Sequence, residues 1–181
     1  MSTFVPHLYK INSMTIAENM VVTLNYKLSN HKTGETIEET TPEQPMVFLY
    51  GVGGIIPRFE SNISGMKVGD AFDFHIEAHE AYGVSDDSKI AMIPLHVFHD
   101  EQGKFDHDYF TVDAMIPMSD GDGNQLRGII REINEEDLKM DFNHPLADTD
   151  LHFSGSIAEI RTATADEIAH GHVHGPGGHH H

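Results

Sequence analysis

The chain has no cysteine, which excludes a disulfide framework and any thiolate metal site. It is also poor in positive charge: 11 Lys and Arg stand against 29 Asp and Glu, a formal charge of −18. A surface so short of Lys and Arg excludes binding to nucleic-acid backbones and attraction to anionic membranes. No apolar run approaches the ~20 residues needed to cross a bilayer. The opening "MSTFVPHLYKINS" lacks the apolar stretch of a secretory signal, so the expected location is the cytoplasm. Familiar catalytic arrangements are missing too. "GVGGII" lacks the third glycine of a dinucleotide fingerprint and has no parallel βαβ pattern around it. "HEAYG" lacks the second histidine of a zinc-protease helix. In "DGDGNQLRGIIR", Gln125 stands where a calcium loop needs glycine and Arg131 where it needs glutamate, so a tight turn between strands is expected. No Ser, His and Asp arrangement stands out, and conventional hydrolytic or redox chemistry has no candidate site.

Hydrophobic residues at 39% and charged residues at 22% fit a soluble globular protein. A chain of 181 residues suffices for one ordinary domain or two small ones. "MVVTLNYKLSN", Met20 to Asn30, alternates Val22, Leu24, Tyr26 and Leu28 against polar residues and predicts a half-buried strand. "HKTGE" predicts a turn, "TIEETT" a short strand, and "PMVFLYG" a strand closed by Gly51. Pro57 suits the first turn of a helix, on which Phe59 and Ile63 share a face. "AFDFHIEA" alternates again, and Leu151, Phe153, Ile157 and Ile160 predict one more long strand. From about Val84 to Phe142 the character changes to short apolar segments between acidic turns, a second small β-rich unit inserted into the first. The expected organisation is an N-terminal extension over 1–13, one discontinuous domain over 14–83 and 143–166, an insert over 84–142 and a His-rich tail over 167–181. Two readings of residues 1–13 stay open, a native extension or an added segment before Met14. Their Val5-Pro6 is expected on a disordered arm rather than docked in a neighbouring molecule.

With the pieces in order, "MVVTLNYKL", "GETIEETT", "PMVFLYGVGGIIPRFESNISGMKVGD", "FDFHIEAHEAYG", "FNHPLADTDLHFSGSIAEIR" and "ATADEIAHGHVHG" resemble the FKBP-type peptidyl-prolyl isomerases, and within them the SlyD-like folding helpers. The resemblance implies an α+β, mostly β fold, an antiparallel sheet wrapped on a short helix, with an insert-in-flap domain after "AYG". It implies catalysis of X-Pro cis/trans isomerisation. Rotation about the peptide C–N bond sacrifices resonance against a barrier of ~18–20 kcal/mol, and an apolar environment disfavours the charge-separated planar form. Such catalysis requires no nucleophile and no cofactor, only an aromatic bowl and groups that hold the twisted carbonyl. By resemblance the bowl is Tyr26, Phe48, Ile56, Phe59, Tyr82 and Phe153, with Ile37 and Met46 as further wall. Phe59 would be the floor, where many relatives carry tryptophan. Tyr82 would donate its hydroxyl to the substrate carbonyl, Ile56 would offer its backbone amide, and Glu38 stands where relatives usually have aspartate. Taken singly, Phe48, Phe59, Phe74 and Phe153 read as core. Only their joint spacing favours a pocket.

In the insert, Met92, Ile93, Phe98, Phe110, Met115, Ile116 and Met118 exceed what a small core needs, and Met is over-used on promiscuous binding surfaces. The resemblance implies that the insert captures unfolded chains, and an exposed sheet edge is the expected means. In the tail, His170, His172 and His174 alternate, so an extended chain would project them the same way. Imidazole suits nickel, zinc and copper, which makes these three the expected ligands of a nickel or zinc ion. His179 to His181 stay open between native ligands and the remnant of a purification tag. His75 and His152 are read as surface residues or hydrogen-bonded partners. Unfolded proteins and Xaa-Pro peptides are the expected partners of a monomer. The alternatives are a non-catalytic holdase and a nickel or zinc carrier.

Overall fold

The computed structural model describes residues 14–174, so the N-terminal arm and His179 to His181 lie outside the described residues. In chain order the strands are β1 (Met20–Asn30), β2 (Thr36–Glu39), β3 (Met46–Leu49), β4 (Ala71–Ile76), β5 (Ile90–Pro94), β6 (Met115–Ser119), β7 (Gln125–Ile133), β8 (Asp137–Asp141) and β9 (Leu151–Thr162). Two short helices are α1 (Pro57–Ile63) and α2 (Ala165–His170). The chain divides into two compact units at Ala81/Tyr82 and again at Asp148/Thr149. The fold is α+β and mostly β.

The first unit is an antiparallel sheet in the order β2-β1-β9-β4, with β3 also paired to β1. β1 explains this arrangement. Its length lets β9 pair along one edge from Met20↔Thr162 to Asn30↔Leu151. Its other edge is shared, Val21–Leu24 with β3 and Lys27–Ser29 with β2. Val22, Leu24 and Leu28 alternate inward and are buried, as are Phe59 and Ile63 of α1. Pro57 opens α1 because its fixed φ suits that turn and its missing N–H would find no helical partner there. Val21, on the opposite face of the same strand, packs with Leu49, Ala163 and Val173 in a smaller cluster.

The tail differs from the extended chain expected. "TADE" is a capping box: Glu167 N–H donates to Thr164 Oγ1, and the Glu167 carboxylate accepts Thr164 N–H, which starts α2. Gly171 then turns the chain at φ 70, a left-handed conformation that glycine adopts without strain. The Glu167 carboxyl is held far below its ordinary 4.5, first by Arg161 and then by Thr164 N–H, against the opposing effect of burial. A depressed carboxyl stabilises the fold above its unfolded pKa, and that stabilisation is lost as pH falls. The excess thermal stability of wild type over Glu167→Gln should therefore be full at pH 6 and shrink steadily from about pH 4.5 downward. Circular-dichroism melts across that range check it; a constant difference would mean the carboxylate is not what stabilises this corner.

The second unit is a separate antiparallel sheet, β5-β8-β7-β6, with Ile116, Ile130, Leu138 and Met140 as its buried core. The segment from Asp120 is the expected tight turn: Asp120 Oδ1 accepts the N–H groups of Asp122 and Asn124. Its seam with the first unit was expected at 84 and 142 and falls instead at 82 and 148. Side chains of the second crossing explain the shift. Asn143 binds Asp86 through both N–H and C=O, Asp148 Oδ1 accepts Ser85 N–H at 2.8 Å, and Asp148 N–H donates to Gly83 O at 2.9 Å.

Candidate functional site

On the inner face of the first sheet, cross-strand register gathers aromatic rings around α1. Phe74 stands opposite Phe153, and Phe72 and Tyr26 both stand opposite Gly155. Phe59 rises from α1 into this group, its ring centroid 4.9 Å from Phe153, 5.6 Å from Phe74 and 5.9 Å from Phe72, all edge-on. Tyr26 flanks Phe153 at 5.9 Å. Edge-to-face packing of this kind holds rings in fixed orientations. Exposure separates floor from rim. Phe59, Phe153 and Phe48 are 2%, 6% and 7% exposed, while Tyr26, Met46, Ile56 and Phe74 are half-buried and Ile37 is 37% exposed.

Each rim residue has a local reason for its place. Met46 and Phe48 face Leu24 and Val22 across β1 and β3. Between Leu28↔Glu38 and Ser29↔Thr36 the register slips, which makes Ile37 the extra residue of a bulge, a device that re-aims side chains. Glu38 lies opposite Leu28, at the edge of the inner face, and is exposed. Ile56 caps α1, its carbonyl accepting Glu60 N–H at 3.2 Å. The loop before it is fastened to the helix: Glu60 Oε1 accepts Gly51 N–H at 3.1 Å, and the Tyr50 hydroxyl donates to Glu60 O at 3.3 Å.

Two neighbours escaped the sequence reading. Phe74 was read only as core, yet its half-buried ring joins Phe59 and Phe153. Thr40 fixes the Tyr26 backbone from both sides, accepting Tyr26 N–H at its hydroxyl and donating its own N–H to Tyr26 O, each at 2.9 Å. That pairing depends on cross-strand register, for which a lone threonine carries no signal.

The remaining expected residues fall in the second unit. Tyr82 is 40% exposed and stacks flat on His144, with ring centroids 4.0 Å apart and planes 1° apart. Burial lowers the His144 pKa, and its Nδ1 accepts Leu146 N–H at 3.0 Å, the arrangement of a ring that bears its proton on Nε2 when neutral. Met92 and Met115 are 50% and 45% exposed. Ile93, Phe98 and Phe110 are partly buried against the core, and Ile116 is within it at 6%. Ile116 is thus a correction. In β6 alternation turns Ile116 and Met118 inward and leaves Met115 and Pro117 outside.

At the C-terminal side, His170, His172 and His174 each offer a ring nitrogen, and these atoms all lie within 4.8 Å of one another. The His172 Nδ1–H donates to His170 O at 3.0 Å, which leaves Nε2 for an ion. The donor set, three imidazoles and no thiolate, fits nickel or zinc. His152 is a satisfied partner, its Nε2 2.9 Å from Asp73 Oδ1.

Phe59, Phe72, Phe74 and Phe153 thus form one packed aromatic group with a half-buried apolar margin. A family model described as FKBP-type peptidyl-prolyl cis-trans isomerase matches residues 12–98. The chain belongs to the FKBP-type peptidyl-prolyl cis-trans isomerases. Within that family it is SlyD-like. It is 37% identical over 165 residues to FKBP-type peptidyl-prolyl cis-trans isomerase SlyD of Aeromonas hydrophila, covering 91% of this chain and 74% of the relative. The SlyD of Pasteurella multocida is 35% identical, covering 93% of this chain and 82% of its own. That of Escherichia coli K12 is 33% identical, with 90% and 79% covered. The chain is a peptidyl-prolyl cis/trans isomerase and acts without a cofactor.

Proposed function

We propose that Tyr26, Phe48, Ile56, Phe59 and Phe153 receive the proline of an unfolded chain, that Tyr82 donates to its carbonyl, and that residues 84–142 capture the chain beforehand. The observation that carries this reading is the packing of Phe59 among Phe72, Phe74 and Phe153, a floor without charge. Against it the planar, charge-separated amide is poorly solvated, and the twisted amide, whose carbonyl and nitrogen have lost resonance, is not penalised. The difference lowers the barrier. Phe74 joins the floor, and Ile37, Met46 and Glu38 form the rim. The role of Glu38 is that of an exposed carboxylate at the rim, one methylene longer than the aspartate usual in relatives.

Exposed Met92, Val97, Tyr109, Val112 and Met115 support capture by the second unit, since flexible and aromatic side chains bind varied apolar segments. β5 and β6 are the outer strands of its sheet, which supports pairing with an extended client. Among the described residues no helix is long and apolar enough to cross a membrane. We place the protein in the cytoplasm as a monomer. His170, His172 and His174 would hold a nickel or zinc ion, which takes no part in isomerisation.

The test is refolding of a protein whose slow step is an X-Pro bond, a step that takes tens to hundreds of seconds unaided. Catalytic amounts of the wild type should accelerate it. Residues 84–147 can be replaced by a two-residue turn, because Gly83 O and Asp148 N–H already meet. That variant should keep its activity on short Xaa-Pro peptides and lose about tenfold or more on the refolding protein. Equal activity on both substrates would remove the capture role. Tyr82→Phe should lose about fivefold on peptides, the value of one hydrogen bond. No loss demotes the hydroxyl alone. Suppressed aggregation without acceleration would favour the holdase.

A further inference from the structure

We infer that the three-histidine group belongs to the folded first unit rather than to a free tail, and that Arg161, Glu167 and Val173 are positioning residues which couple metal binding to the stability of that unit. The inference rests on the metal reading above. A helix of six residues does not persist alone in water, so something must hold α2. Glu167 does. Its side chain is 2% exposed and meets the guanidinium of Arg161 in β9 through two bonds, at 2.7 and 2.9 Å. The same carboxylate accepts Thr164 N–H at 2.9 Å and, beyond the turn at Gly171, His174 N–H at 3.2 Å. One buried group therefore ties the sheet to the start of α2 and to the last of the three histidines.

Val173 supplies the second anchor. It lies between two of the ligands in sequence and packs against Val21, Leu49 and Ala163, the cluster on the outer face of β1 and β3. The histidines on either side of it converge: ring centroids are 4.9 Å apart for His172 and His174 and 5.1 Å for His170 and His174. The order of these ligands is set by contacts of the folded unit. An unfolded chain would have to supply that order at the moment of binding, at an entropic cost. An ion that binds the folded chain better than the unfolded one stabilises the fold, whereas one that binds both equally does not.

The experiment uses the full chain with His179→Ala, His180→Ala and His181→Ala, titrated with nickel chloride alone by calorimetry and followed by thermal unfolding. At about a hundredfold excess over Kd, nickel should raise the Tm of the isomerase unit by several degrees. Glu167→Ala and Val173→Ala should each weaken nickel binding about tenfold, the usual loss for groups that orient ligands, and shrink the rise in Tm. Glu167→Gln keeps one carbonyl oxygen, enough for either Thr164 N–H or His174 N–H but not both, and loses the ion pair with Arg161, so it should recover only part of both. Activity on Xaa-Pro peptides without nickel should stay unchanged throughout. Nickel bound by wild type with no rise in Tm, or bound equally by both anchor variants, would overturn the coupling and leave the metal site standing. Wild-type binding no better than that of His170→Ala, His172→Ala, His174→Ala would remove the metal site and the coupling with it. If Glu167→Ala does not fold, Val173→Ala carries the same comparison.

Discussion

Phe59→Ala is expected to abolish most isomerase activity and to destabilise the first unit by about 3–5 kcal/mol, the usual cost of removing a buried phenylalanine. Two roles meet in this ring. It is among the largest fully buried side chains, and it supplies the edge-on contacts that orient Phe72, Phe74 and Phe153. Loss of activity in Phe59→Ala alone would not separate a missing floor from a loosened fold. Phe59→Leu separates them. Leucine refills much of the volume but offers no aromatic edge, and such pairs are worth about 0.5–1.5 kcal/mol beyond buried area. Phe59→Leu should therefore remain folded at 25 °C with a modest loss of stability, and kcat/KM on an Xaa-Pro peptide should fall about tenfold. Denaturant titration beside a protease-coupled peptide assay checks both. A folded Phe59→Leu with unchanged kcat/KM would leave Phe59 as core only.

Gly155→Ala is expected to be as damaging, although it adds one methyl group. A Cβ at this position would stand 2.0 Å from the carbonyl oxygen of Asn25, 2.8 Å from Phe72 Cζ and 2.9 Å from Tyr26 Cα. A phenyl ring can yield, but the backbone of β1 cannot move without breaking its ladder with β9. The absence of a side chain at Gly155 lets the ring of Phe72 lie over β9 and holds Tyr26 close to it. Overpacking against backbone places the loss at ~3 kcal/mol or more, with Tyr26 displaced as well. Gly121→Ala is the control. Its φ is not positive and nothing lies within 4 Å of the added Cβ, so it should be near neutral. Equal denaturation midpoints for the two variants would show that β1 and β9 have room to spare.

How far the sequence could be read depended on the kind of interaction. Val22, Leu24 and Leu28 announced β1 because a half-buried strand must alternate, and Pro57 with Phe59 and Ile63 announced α1 because a helix needs a start and one apolar face. The aromatics around α1 could be named from the sequence, but not which of them touch. Phe74 looks like any core residue until its register with Phe153 is known, and Thr40 acts through a backbone pairing across a turn. Ile116 was misplaced because a run such as "AMIPM" does not reveal which parity faces inward. The tail was misread for a different reason. "TADE" is a local signal, but the histidines drew the reading toward an extended chain, and the partner that stabilises α2, Arg161, precedes it on another element. The seam of the insert was displaced because Asn143 and Asp148 bind backbone groups more than fifty residues away.

The place of β9 has a consequence for how the chain is made. β1 and β4 leave the ribosome early, yet the strand that joins them is the last of the sheet to emerge, after the whole second unit. β1 and β9 are paired across more than a hundred residues, a separation that slows folding. β6, β7 and β8 pair with their sequence neighbours, and β5 pairs with β8 from Ile90↔Asp141 to Pro94↔Asp137, a shorter span than that between β1 and β9. During synthesis the second unit therefore emerges whole first, while the sheet of the first unit still has an open slot. The enzyme begins life with four strands of its sheet made and waiting for the fifth.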